Sequence, residues 1–517
     1  MKLKRLSKSR MDLNSIIKIA NLIIVLVTIY IYFSKSEANP YIDFTTLVLM
    51  AMIGLQIQLI LMFEKRSRDP FVLLLAFNIT FFYLLRVLTL AYDPWSDVLS
   101  RYALTVDDLN LTLLFIFFGV WAIFFGLSLV KFKIHPIEKI SNMPLYQNKS
   151  LIKPITILLI FILMLIASFY FYFFAGLGRS NFLGYSSWIS YISIIINSQV
   201  IIILTFAYII TNLKLIYRKY LYSFAILFAI FVLFKTISGS RGGILAIVMA
   251  AIFVLLSREN KISIKKSTLA LILLIIIPIS IVSFGYATYN RSVINLQQTK
   301  EIDIGDFISS MSSYQIDNQG TLALTLRPVF NRIGFLDMAT DIASNSDKYD
   351  KVINFEYYLK SIIDRIGITP GFHVFNTYQA AITLRYIYSN MDIPIIMEDY
   401  NSDQFTLFGE YYVLFKGYGS LIVIFVLAYV FKILYLSLKT RDAFSLCFYR
   451  AIILYIFYNF WLNSFGTDWL IIETTRLVIS SMIFMKIAKI GMAKLNKSSK
   501  ALTDIHINEQ KTVRAES

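Results

Sequence analysis

IIKIANLIIVLVTIYIYF, residues 16–33, is an almost unbroken apolar run of eighteen residues, the length a helix needs to cross about 30 Å of hydrocarbon. It follows the basic run MKLKRLSKSR, residues 1–10. The apolar part is too long for the hydrophobic region of a cleaved signal peptide, so the sequence predicts an uncleaved anchor with a cytoplasmic N-terminus. Runs of the same kind recur through the chain, which is 57% hydrophobic, 16% aromatic and 16% charged over 517 residues. A soluble domain carries about a quarter charged residues. The expected fold class is an all-α polytopic membrane protein.

Twelve spans are expected, near 16–33, 44–63, 71–91, 111–130, 154–174, 193–211, 221–236, 242–256, 268–286, 418–437, 443–462 and 467–486. Counting sides from a cytoplasmic N-terminus, the inward connections are EKRSRD, KFKIHPIEKISNMPLYQNKSLIK, NLKLIYRKY, SRENKISIKKS, SLKTRD and the Lys-rich tail, all of them basic. The outward ones are SKSEANPYID, YDPWSDVLSRYALTVDDLN, AGLGRSNFLGYSSWISY, KTISGSR, a long segment near 287–417, and NSFGTD. They are poor in Lys and Arg except for KTISGSR, the pattern that positive-inside sorting produces. A net charge of +17 is thereby accounted for by orientation and contact with anionic membrane lipids, and no nucleic-acid partner is called for.

The organisation that follows is a membrane domain 1–286 with spans one to nine, an extracytoplasmic subdomain 287–417, spans ten to twelve in 418–486, and a basic cytoplasmic tail 487–517. Residues 287–417 hold fifteen Asp or Glu against ten Lys or Arg, unlike their surroundings. DKYDKVINFEYYLKSIIDRIGI, ending before Gly367, Pro370 and Gly371, has apolar residues at helical spacing and predicts amphipathic helices there. The single cysteine, Cys447, falls in a span, so no disulfide framework exists.

Chemistry concentrates at KTISGSRGGILAIVMAAIFVLL, residues 235–256, where a Gly and Ser loop opens into a span. A helix N-terminus there offers free backbone N–H groups, and Lys235 and Arg241 add charge, a combination suited to a pyrophosphate. Arg327, Arg332, Arg365 and Arg385 lie in the long segment, where planar guanidinium groups can engage phosphate oxygens or the abundant carboxylates. His373 is the only histidine expected outside, His135 and His506 being cytoplasmic, and a neutral imidazole there could accept a proton from a sugar hydroxyl. Glu410 is the rival base. Within spans, Glu473 and Arg476 are three apart and can neutralise one another, whereas Arg86 has no partner on its own helix and is free to snorkel or to face a lipid-phosphate cavity. Walker A, HExxH and His/Cys ligand patterns are absent, and the acidic EIDIGD, residues 301–306, is too loosely spaced for a metal site.

SGSRGG at the outer start of a span ahead of a large external loop resembles the O-antigen polymerase (Wzy-type) and O-antigen ligase group. FTLFGEYYVLFKGYGSLIVIF, residues 405–425, is similar to the segment leading out of the large loop in oligosaccharide repeat unit polymerases. The two matches cover about a tenth of the chain, and the arrangement of spans extends the likeness to nearly all of it. The resemblance implies a GT-C-like membrane fold and an undecaprenyl-pyrophosphate-linked glycan as donor. It also implies a second lipid-linked repeat unit as acceptor, no metal or other cofactor, and partnership with a chain-length regulator and a flippase of the same pathway. It ranks Arg332 and Arg327 first among the loop arginines, and ligases of the group lend His373 a role as base. The alternatives are a ligase-like glycan transferase or a polysaccharide flippase, although transporters usually have short external loops and two repeating halves.

Overall fold

In a computed structural model, residues 10–11, 13–35, 39, 41–63, 69–92, 104–130, 153–173, 196–213, 216–237, 241–257, 264–265, 335–366, 374–375, 377, 379–381, 383–384, 405–438 and 443–488 are described. Among them the fold is helical, apart from an antiparallel pairing of Arg10–Met11 with Ile264–Lys265. In chain order the helices are α1 (Leu13–Ser34), α2 (Phe44–Phe63), α3 (Pro70–Asn78) and α4 (Leu85–Tyr92), the last two joined by a π-helical turn, Ile79–Leu84. Then come α5 (Val106–Leu129), α6 (Pro154–Phe173), α7 (Ser198–Asn212), α8 (Arg218–Ile237) and α9 (Arg241–Ser257). Next are α10 (Phe335–Ser344), α11 (Phe355–Ile366), α12 (Leu407–Leu414), α13 (Ser420–Ser437) and α14 (Ala443–Ile456). A second π-helical turn, Phe457–Leu462, continues α14, and α15 covers 467–488.

Among the described residues, six helices are long and apolar enough to cross a membrane: Leu13–Ser34, Phe44–Phe63, Pro70–Ala91, Val106–Leu129, Gly417–Ser437 and Ala443–Leu462. Shorter apolar helices cover Pro154–Tyr170, Ser198–Asn212 and Ile247–Ser257. The expected span 268–286, all of 287–334 and residues 489–517 of the expected cytoplasmic tail lie outside the described residues.

Local chemistry sets where these helices begin. Thr105 and Asp108 form a reciprocal capping box at the start of α5, which satisfies two backbone donors that would otherwise be orphaned. Asp69 caps α3 by accepting from the Phe71 N–H, with Pro70 in the first helical position. The Asp69 carboxylate also pairs with the buried Lys432 Nζ of α13, so this cap ties two sequence-distant helices.

Among the described residues, α5 and α13 share the most extensive helix–helix contact. Gly126 lies directly against the backbone carbonyl of Phe425 and near Ala428, so a Cβ there would overlap main-chain atoms. Small residues allow such approach, and in lipid, where no hydrophobic force drives helices together, close contact itself supplies the attraction. Further up α5, Gly119 receives the edge of the Phe408 ring from α12. A helix from the segment expected outside therefore reaches the middle of a spanning helix. Phe335, Leu336, Leu407, Phe408 and Tyr411 are buried in the same apolar core as the spans, while Met338, Ile342, Tyr349, Ile353, Tyr358, Leu384 and Phe405 gather in a smaller second core.

Candidate functional site

The two π-helical turns face a common layer. Wider turns of this kind leave local groups unpaired and occur often at functional sites. Here Asn78, at the start of one, donates to Asn463 Oδ1, just past the other, at 2.5 Å. Tyr83 of the first turn packs its ring on Phe335 at 6.2 Å and on Phe408 at 5.5 Å, and so touches both α10 and α12.

Arg86 follows one helical turn later. Its guanidinium engages Asp337 of α10 through Nε at 2.9 Å and Nη2 at 2.7 Å, and Nη1 donates to Thr89 Oγ1 at 3.1 Å, with both charged side chains 1% exposed. The partner that its own helix lacks comes from 251 residues away. Arg86 is neither snorkelling nor presenting an open cationic face. It pins α10 to α4.

Glu410 lies in the first turn of α12 and is fully buried. Its Oε1 accepts from Tyr358 Oη at 2.8 Å and from the Thr467 N–H at 2.5 Å, and its Oε2 accepts from Ser464 Oγ. Thr467 opens α15, so a carboxylate from another element caps that helix, where the positive end of the helix dipole favours it. Burial pushes the Glu410 carboxyl above its ordinary value, and the hydrogen bonds from Ser464, Thr467 and Tyr358 oppose the rise. The local backbone is strained to make this fit. Thr406, a β-branched residue, sits at φ +61°, and Gly466 at φ +117°.

Asp468 and Asp364 complete the layer. Asp468 Oδ2 accepts from Ser361 Oγ at 2.6 Å and from the Ala380 N–H at 3.0 Å. Asp364 accepts three backbone N–H groups, from Val374 at 2.8 Å, Phe375 at 2.9 Å and Thr377 at 2.7 Å. Tyr358, Ser361 and Asp364 are spaced by three, which places them on one side of α11. That stripe joins α12 through Glu410, α15 through Asp468, and the backbone immediately after His373 through Asp364.

Of the residues singled out in the sequence, the structure thus brings Arg86 and Glu410 to the same helix pair, α10 and α12. Lys235 is half-buried in the last turn of α8, 5.4 Å from the Phe231 ring centre and 5.3 Å from that of Phe234. Arg241 is the first residue of α9, as the helix-start reading requires, but its side chain lies outside the described residues. His373, Arg327, Arg332, Arg385 and the 301–306 cluster lie outside them too, as does the Arg365 side chain. Glu473 and Arg476 pair at 2.6 Å, as their spacing predicts. The sequence reading missed Asp337, Tyr358, Ser361, Asp364 and Asp468. The polar three-residue spacing in FEYYLKSIIDRI was the available signal for three of them.

No family model, curated protein or solved structure matches the chain.

Proposed function

We propose that this chain is a twelve-span polymerase of the bacterial cytoplasmic membrane that joins undecaprenyl-pyrophosphate-linked repeat units into a surface polysaccharide on the outer face, with both termini inside. The observation that carries the reading is the α11 stripe, because it holds the backbone following His373 to the ends of α12 and α15 through buried carboxylates. A group that must meet a bound sugar in a fixed geometry needs such a frame. The motif likenesses at 238–243 and 405–425 supply the substrate class. The sidedness agrees with the pairing of Arg10–Met11 and Ile264–Lys265, which puts the N-terminal segment and the basic connection after α9 at one end of the bundle.

In this reading Arg241, Lys235, Arg327 and Arg332 hold the donor pyrophosphate. The acceptor hydroxyl attacks the anomeric carbon, and the bond to the pyrophosphate oxygen breaks with its electrons, leaving polyprenyl pyrophosphate. Cationic groups around those oxygens stabilise the charge that develops. The hydroxyl proton passes to His373. Glu410 is set aside as base because Tyr358, Ser464 and Thr467 already occupy its oxygens in a buried place. Arg86 is set aside as a pyrophosphate ligand because Asp337 neutralises it.

The test is purified protein in proteoliposomes with lipid-linked repeat units. A ladder of lengthening chains is expected, with one polyprenyl pyrophosphate released per linkage. Arg241→Ala should abolish the ladder and Arg241→Lys restore it poorly, since the two-pronged phosphate contact is lost. Movement of lipid-linked units across the bilayer with no new linkage would replace this reading by transport.

A further inference from the structure

The side of α11 opposite its polar stripe is apolar and uncovered. Phe355, Leu359 and Ile363 recur every four residues and are 61%, 59% and 41% exposed, and Val374 and Phe375 beyond the helix extend the patch. Only the flank is charged: Glu356 pairs with Lys360 at 2.5 Å, and Lys360 Nζ lies 6.0 Å from the Phe375 ring centre. A helix with hydrogen-bonding groups on its inner side and a bare apolar face outward is unusual on a water-facing domain.

Its position says what covers it. Phe355 packs edge-on against Phe415 at 5.5 Å, two residues before the apolar helix Gly417–Ser437 begins. Phe415 stacks on Tyr411 at 5.5 Å, and the neighbouring Tyr412 meets Phe115 at 5.0 Å. Phe115 is the tenth residue of α5, about 14 Å along that helix from its outer end at a rise of about 1.5 Å per residue. Beyond Phe415 the exposed apolar surface continues through Tyr418 and then along α13 through Ile422 and Val426. One end of the bare face of α11, at Phe355, therefore meets the segment that leads into the exposed apolar surface of α13, and that segment contacts α5 well inside its length through Tyr412.

We infer that α11 is an interfacial helix whose Phe355, Leu359 and Ile363 side chains enter the acyl-chain boundary of the leaflet at this end of the bundle. Amphipathic helices bind there by burying their apolar face while flanking charges stay in the headgroups. The inference needs only a membrane-spanning chain. If the polymerase reading also holds, α11 fixes the depth of the active segment. Asp364 would then keep the backbone at Val374, Phe375 and Thr377, which follows His373 in the chain, at headgroup level, where the pyrophosphate of a membrane-anchored substrate resides.

The test places single cysteines at Leu359, Ile363 and, as a polar control, Asp347, in the full chain carrying Cys447→Ala. Each is labelled with an environment-sensitive fluorophore and reconstituted without glycan into phosphatidylcholine vesicles with or without brominated acyl chains. All three labelling sites are exposed, so the label displaces no packed side chain at any of them. Quenching by bromolipid at both 359 and 363, about twofold or more above that at 347, is the expected result. Quenching by aqueous iodide alone would overturn the inference and leave the face to water or a soluble partner. Protection from both quenchers would overturn it equally, because another part of the chain or a second copy would then cover the face. No polymerisation is measured, so this result and that of the glycan assay are independent.

Discussion

The α5–α13 contact and the α10–α11–α12 cap are both buried, yet they are held by opposite means. Between α5 and α13 the deciding feature is an absent side chain: Gly126 lets a helix approach the Phe425 carbonyl. In the cap, the buried carboxylates of Asp337, Glu410 and Asp468 each receive specific donors from other elements. Apolar packing tolerates small rotations, whereas a carboxylate with three directed donors fixes an angle as well as a distance. The bundle provides the mass of the fold, and the cap provides orientation where the chemistry is assigned.

The sharpest way to break this contrast is at Arg86 and Asp337. Removing one partner leaves a bare charge in a place 1% exposed, and breaking such buried pairs costs about 3–5 kcal/mol. Arg86→Ala or Asp337→Ala should therefore lower the melting temperature in nanodiscs sharply. The double replacement Arg86→Met with Asp337→Leu should recover most of the loss, because well-packed apolar pairs often match buried ion pairs. Recovery of stability together with glycan transfer would establish Arg86 as a pin. Recovery of stability alone would return it to the list of substrate ligands.

At Glu410 the expected loss is smaller. Glu410→Ala strands the Tyr358 hydroxyl and the Thr467 N–H, each costing about 1–3 kcal/mol when buried without a partner. Glu410→Gln keeps an oxygen for those two donors and should be clearly milder. Hydrogen exchange at the start of α15 reads the effect locally. If the alanine variant leaves that helix start as protected as before, the cap does not depend on this carboxylate.

The bundle's counterpart is Gly126→Ala, expected to cost about 1–3 kcal/mol by overpacking, since the obstructing atom belongs to backbone and cannot rotate away. Gly419→Ala is the control, with nothing within 4 Å of the added carbon. Equal melting temperatures for the two variants would contradict the close approach of α5 and α13.

Long apolar runs made the six candidate spanning helices among the described residues legible, because length and hydropathy are properties of a local window. The pair formed by Glu473 and Arg476 was legible for the same reason, being three residues apart on one helix. Asp337 as the partner of Arg86 was not, since 251 residues separate them and nothing local distinguishes that aspartate from its neighbours. NSFGTD read only as a short outward turn. Its Ser464, Thr467 and Asp468 acquire roles through residues contributed by α11 and α12.

The smallest expected effect separates the two regions by pH. Burial raises Glu410 above 4.5 and Asp341 above 3.8, against hydrogen bonds that partly offset it. A carboxyl whose pKa is higher folded than unfolded binds its proton more tightly in the folded state. Its contribution is greatest below the unfolded value and is lost as pH rises through the folded one. The cap should thus become more stable as pH falls from about 7.5 toward about 5. Asp43, at the start of α2, behaves oppositely: burial pushes it up, but hydrogen bonds from Thr46, Asn110 and Thr45 hold it below 3.8. Its contribution disappears only in stronger acid and does not move in the same window. Melting temperature against pH should therefore slope upward toward mild acid in the wild type. The slope should flatten in Glu410→Gln, and further when Asp341→Asn is added, since an amide does not titrate. Exposed carboxylates are common to all three proteins and cancel in the comparison. A wild-type slope of the opposite sign, unchanged by either substitution, would mean that these carboxyls stay ionised in the cap over this range, with their donors outweighing burial.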